Sequence, residues 1–217
     1  MSSIFFDVEN NPKPKYRGIS HQYAFFIALA GSIAMWMYTP TEKIWPIVIY
    51  CIGFCGMLGT STCYHRWSWS SAGEKWIRRA DYVMISVKIA SAFTPFCMLV
   101  FSSWYSLFVM YTLWLGVVFC ALLHFVWVDS PNLFRTAVYI VSGWVGVPLF
   151  PELIETCGLT CAVLTLIGGA LYTIGGLIYA FRWPDPAPNI FGYHEIFHAC
   201  VVVASFIHFY CIWMYAL

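Results

Sequence analysis

The chain has 217 residues, of which 61% are hydrophobic, 20% aromatic and only 10% charged. A soluble domain carries about 25% charged residues, so an ordinary water-soluble enzyme or binding module is excluded and a multi-pass integral membrane protein is expected. The net charge of +1 gives no argument for nucleic acid, and no nucleic-acid partner is expected.

Residues 1–18 read as a short cytosolic tail, without the basic stretch and long apolar core of a cleavable signal peptide. A spanning helix needs about 20 mostly apolar residues. Runs of that kind lie near 19–38, 44–64, 77–101, 104–127, 133–150, 159–181 and 193–215. Turn-forming residues separate them, among them Thr39-Pro40-Thr41-Glu42, Ser70-Ser71-Ala72-Gly73, Asp129-Ser130-Pro131-Asn132, Pro151-Glu152 and Pro184-Asp185-Pro186. The expected fold is therefore all-α, a seven-transmembrane helix bundle over 19–217. Lys13, Lys15, Arg17, Arg66, Lys75, Arg78, Arg79, Arg135 and Arg182 fall on the side of the N-terminus, and Lys43 alone falls opposite. The positive-inside rule then places the N-terminus in the cytosol and the C-terminus outside or in a lumen. Which membrane is involved is left open.

Most of the cysteines, such as Cys51, Cys55, Cys97, Cys120, Cys200 and Cys211, lie inside apolar runs, where a thiol packs as a small apolar group. Cys157 and Cys161 are expected at the last non-cytosolic loop, with their redox state open. Trp67, Trp69 and Trp76 flank the second loop and read as interfacial anchors.

The last run opens Phe191-Gly192-Tyr193-His194-Glu195-Ile196-Phe197-His198. Residues at i and i+4 lie about 40° apart on a helix and about 6 Å along it, so the imidazoles of His194 and His198 can reach one metal ion. In a soluble helix such a pair is more often a hydrogen-bonding pair; here the helix continues into lipid, where ionisable groups are costly and mark function. The second run ends Ser61-Thr62-Cys63-Tyr64-His65, and the third carries Asp81 near its start. The orientation brings all of these to one depth. His65, His194 and His198 are therefore the candidate metal ligands, with Asp81 and Ser61 as candidate catalytic groups. Three histidines and an open position form a catalytic zinc arrangement, in which the metal lowers the pKa of its water to about 7. Asp81 would take a proton from that water or hold it, and Ser61 would bond the water or a developing oxyanion. The structural alternatives are a helix N-terminal carboxylate for Asp81 and an intrahelical hydrogen bond for Ser61.

These motifs resemble the haemolysin III and progestin/adipoQ receptor family, which includes the adiponectin receptors, within a wider superfamily that also holds the alkaline ceramidases. The resemblance runs from Arg17 onward, through Ser61-x-x-x-His65, Asp81-Tyr82, Thr94-Pro95-Phe96, Trp183-Pro184 and the stretch from Phe191 to His198. It implies seven helices with the N-terminus inside, and zinc held by His65, His194 and His198 with Ser61 and Asp81 close by. It also implies a lipid-facing site, with ceramide or a related sphingolipid as the partner of some members. The short tail resembles the compact bacterial members, so hormone binding is not expected. Helix 1 begins Arg17-Gly18-Ile19-Ser20-His21 without the glutamate many relatives carry there, so no role for that glutamate carries over.

Lys88 stands where the family usually has an apolar residue, about 10 Å beyond Asp81 on nearly the same helix face. It either pairs with Asp81 or faces a carbonyl or a wet cavity. His208 lies about 21 Å along the helix from His194 and cannot share its metal. His21 and His124 fall near the same depth as the site and can join its polar pocket, with a core hydrogen bond as the expected role. The leading functional expectation is a zinc-dependent hydrolase of a lipid amide or ester. A receptor or lipid-homeostasis regulator with a structural zinc, or a haemolysin-type pore, are the alternatives.

Overall fold

The computed structural model describes residues 14–217; Lys13 and most of the expected N-terminal tail lie outside the described residues. The described chain is helical, with α1 Ile19–Tyr38, α2 Ile44–Arg66, α3 Ser71–Leu99, α4 Trp104–Val126, α5 Asn132–Trp144, α6 Phe150–Phe181 and α7 Tyr193–Tyr215. Five helical stretches are long and apolar enough to cross a membrane: Thr41–Arg66, Ser71–Leu99, Trp104–Val126, Asn132–Phe181 and Tyr193–Tyr215. The chain is an all-α, multi-pass membrane bundle. α1 is a further helix of 20 residues, diluted in its first turns by Ser20, His21 and Gln22.

Local chemistry explains where the helices depart from the expected runs. α3 starts at Ser71 because Ser70 caps it, its hydroxyl accepting from the Gly73 N–H at 3.2 Å. The sequence read Pro151-Glu152 as a break, but proline fits the first turn of a helix, and α6 begins at Phe150. The break comes later, at Gly158, whose φ of 81° and ψ of 166° interrupt the helical backbone. Cys157 and Cys161 accordingly lie on α6 and not in a loop, and both are free thiols.

The packing forms a ring. α1 packs on α2 and α7, α2 on α3, α3 on α5, α5 on α6 and α6 on α7, while α4 packs on the outside of α3. α4 shows its apolar face outward, with Val126 85% exposed, as suits contact with lipid chains. Tyr50, Phe54, Ile47 and Leu58 of α2 are fully buried. Phe54 meets Phe206 and Phe209 of α7 at ring-centroid distances of 5.4 and 5.7 Å. Small residues let the backbones close up: a Cβ on Gly53 would sit 2.6 Å from the Ser91 Cβ, and one on Gly175 2.8 Å from the Cys200 Cβ.

The ring encloses a cavity of about 290 Å³ lined from every helix except α4. It runs from His65, His194 and Asp81 at one end, past Lys88, to Phe101, Leu149 and Leu153 at the other.

Candidate metal centre

The start of α7 fixes two of the histidines. Its first N–H groups have no partner within the helix, and acidic side chains supply them: the Glu195 Oε2 accepts from the Gly192 N–H at 2.8 Å, and the Asp185 Oδ1 from the Tyr193 N–H at 3.1 Å. Negative charge there is favoured by the helix dipole. The Arg17 Nε donates to the Glu195 Oε1 at 2.5 Å, and Glu195 is buried. The backbone ahead of α1 is joined to the same loop, with Lys15 N–H on the Asn189 carbonyl at 3.1 Å and Tyr16 N–H on the Ile190 carbonyl at 3.2 Å. This lattice sets the rotation of α7 and covers the histidine end of the cavity.

His65 comes from the last turn of α2. Gly18, at the head of α1 with φ 77°, lies so close that a Cβ there would sit 2.6 Å from the His65 Cβ. Both the conformation and the space require glycine. Gly18→Ala is therefore expected to lower the melting temperature by several degrees and to weaken metal binding about tenfold by displacing His65. Thermal melts followed by tryptophan fluorescence, beside a zinc titration, check both effects.

One ring nitrogen from each of His65, His194 and His198 lies within 4.8 Å of the others. His194 Nε2 and His198 Nε2 are 3.0 Å apart. Tetrahedral zinc at about 2.0–2.1 Å from each nitrogen would hold two of them about 3.3–3.4 Å apart. The His194–His198 pair is close to that spacing, and the wider set, which spans up to 4.8 Å, reaches it by rotation of the imidazoles toward a common centre. The ring of His65 meets those of His194 and His198 at 4.8 and 5.0 Å. Among the described residues no fourth His, Cys, Asp or Glu joins this cluster. Asp81 lines the same cavity beside the Ser61 hydroxyl but stands outside the ligand set.

The sequence let His21 join the polar pocket but favoured a core hydrogen bond for it. Its Nδ1 is 2.8 Å from the Ser61 Oγ, and its ring stacks on His198 at 3.8 Å with planes 2° apart. His21 thus holds both a candidate ligand, His198, and the Ser61 hydroxyl in place. The signal was its depth in helix 1, the same argument that gathered the other polar groups. Glu195 was also passed over, although a glutamate three residues after the start of a helix is a recognisable cap.

The other histidines lie elsewhere. His124 Nε2 meets the Tyr139 hydroxyl at 2.9 Å, and that hydroxyl donates to the Tyr82 carbonyl at 2.9 Å. His208 Nε2 is 3.2 Å from the Thr165 carbonyl oxygen. Lys88 does not pair with Asp81. It is 4% exposed, and its Nζ lies over the rings of Tyr50 and Phe54, 5.2 and 5.5 Å from their centroids.

Fold and site together define a class: a multi-pass helical membrane protein with a buried three-histidine cluster at one end of an intramembrane cavity. The haemolysin-III related family matches residues 9–209. The chain belongs to that family, as its motifs implied. It is 30% identical over 205 residues to the protein called heptahelical transmembrane protein 4 of Arabidopsis thaliana, covering 83% of this chain and 51% of that one. It is 28% identical over 147 residues to Hemolysin-3 of Bacillus cereus, covering 66% of this chain and 63% of that one. The chain thus spans between about half and just under two thirds of the length of these relatives.

Proposed function

We propose that this protein is a zinc-dependent hydrolase of a lipid amide or ester, ceramide-like in class, that draws its substrate from the bilayer. The observation that carries the reading is the cluster of three imidazoles, without a fourth ligand among the described residues, at the head of a long apolar cavity. A structural zinc normally has four protein ligands and a catalytic one three. That contrast favours hydrolysis over a purely structural site.

His65, His194 and His198 would hold the ion, which when bound supplies a Lewis acid and an acidified water. Asp81, on the cavity wall beside Ser61, would accept a proton at its carboxylate from a water held at the centre. Ser61 donates to the oxygen that becomes negative. In the tautomer with His21 Nδ1 protonated, that N–H donates to the Ser61 Oγ, and the Ser61 proton, which faces the Asp81 carboxylate, would turn to that oxygen. Arg17, paired with Glu195, helps close the end of the cavity against water.

The bundle is read as seven spans with the N-terminus in the cytosol. The seven α-helices, the basic-residue count and the heptahelical name of the plant relative support this. The centre then lies on the cytosolic side.

The test is the metal content of detergent-purified protein together with turnover of a fluorescent ceramide. One zinc per chain with turnover supports the reading; zinc without turnover of any lipid amide or ester makes the site structural; absence of zinc from protein refolded or purified with it supplied sinks both. A second expectation concerns the cavity. Gly143 lines it, and a Cβ there would meet nothing within 4 Å. Gly143→Leu should therefore fill lipid space without disturbing the fold, lowering turnover about tenfold while zinc content and melting temperature stay unchanged.

A further inference from the structure

Lys88 is the one basic residue absent from the membrane-edge count, and it lies at the middle of the cavity. A cation taken from water into a membrane interior requires a counter-charge or strong hydrogen bonds. Lys88 is buried and lines the cavity, yet among the described residues it has no hydrogen-bond or ion-pair partner. The faces of Tyr50 and Phe54 attract the ammonium on one side only. Two other polar groups nearby in the bundle are also unanswered: the Tyr50 hydroxyl, on the helix that supports the lysine, and the Thr165 hydroxyl, which lines the cavity from α6. His208, beside the Thr165 carbonyl, is within electrostatic reach of Lys88.

We infer that Lys88 is the anchor of an anion subsite that takes the carboxylate of an acidic amphiphile, with the apolar chain lying along Phe93, Phe96, Phe101 and Leu153. Charge count selects the ligand class. One lysine without a guanidinium suits a singly charged carboxylate, whereas phosphate is usually met by several cations or a bidentate arginine. The apolar lining beyond Lys88 excludes a small hydrophilic acid. A neutral amine meeting a neutral carboxylic acid gives the same ammonium–carboxylate pair by transfer of the acid proton, so the subsite needs no outside co-reactant. The subsite lies about 10 Å along α3 from Asp81, counted over seven residues of rise. It is distinct from the histidine centre. Its meaning for substrate choice, an acidic group on the lipid beyond the scissile carbonyl, rests on the hydrolase reading; the binding itself does not.

The experiment compares binding of radiolabelled dodecanoic acid and dodecanol to the full chain in detergent, for wild type, Lys88→Met and His198→Ala. The expected result is an acid preference of about tenfold or more in wild type. It should vanish in Lys88→Met with alcohol binding intact, and persist in His198→Ala. Preserved alcohol binding shows that the variant is folded, and Lys88→Gln is the second variant should the methionine disturb packing. No acid preference in wild type, or a preference kept without Lys88, overturns the subsite. A preference lost in His198→Ala but kept in Lys88→Met places the carboxylate at the histidines and overturns it too. Zinc and turnover absent while the Lys88-dependent preference remains would remove the hydrolase and leave the subsite standing.

Discussion

His198→Ala should bring the zinc content of the purified protein from one per chain towards none and abolish turnover. His198 is buried, its Nε2 faces that of His194 at 3.0 Å, and its ring is stacked under His21. Removing it leaves two nitrogen donors and an enlarged hole. Loss of a group that merely orients a ligand costs about 10–100-fold in metal affinity, so loss of the ligand itself should exceed about 100-fold. The control is His208→Ala, on the same helix but about 15 Å further along. It removes a hydrogen bond to the Thr165 carbonyl and none of the cluster. Zinc measured by mass spectrometry in the two variants therefore separates the proposed centre from nonspecific uptake by histidines. Equal zinc in both would end the assignment of His198 as a ligand.

Much of this arrangement was legible in the chain because bilayer thickness imposes a length on apolar runs and turn residues separate them. The His194–His198 spacing is local to one helix, and the depth argument needed only the ends of the runs to bring His65 towards it. Contacts between helices were less accessible. Helical periodicity says which residues share a face, but not which face of another helix they meet, and so His21 was favoured as a core residue over a place in the pocket, although it touches both Ser61 and His198. The same limit hid the placement of α4 outside the ring, since its apolar run is no different in kind from the others. Pro151 misled because proline marks a turn in one setting and the first helical turn in another. For Lys88, the spacing of seven residues correctly gave nearly the same face as Asp81, but rise along the helix keeps the two groups apart. The aromatic platform beneath it comes from α2, which no pattern in α3 could show.

Asp81→Asn should keep the metal and lose the chemistry. The side chain lines the cavity beside Ser61 and stands outside the three-nitrogen cluster, so the variant should retain about one zinc per chain. An amide of the same shape preserves packing and can still accept a hydrogen bond, but it cannot take a proton at neutral pH. Removal of a general base typically costs 10²–10⁴-fold, and turnover of a fluorescent ceramide should fall by about that range with little change in KM. Its failure would be informative by kind. Zinc lost together with activity would make Asp81 a fourth ligand, a set of donors that belongs to a structural centre and to the regulator reading. Zinc and turnover both retained would transfer the proton acceptor to another group on the cavity wall. Zinc retained with turnover lost would separate binding of the metal from its use, as the roles proposed for the three histidines and for Asp81 require.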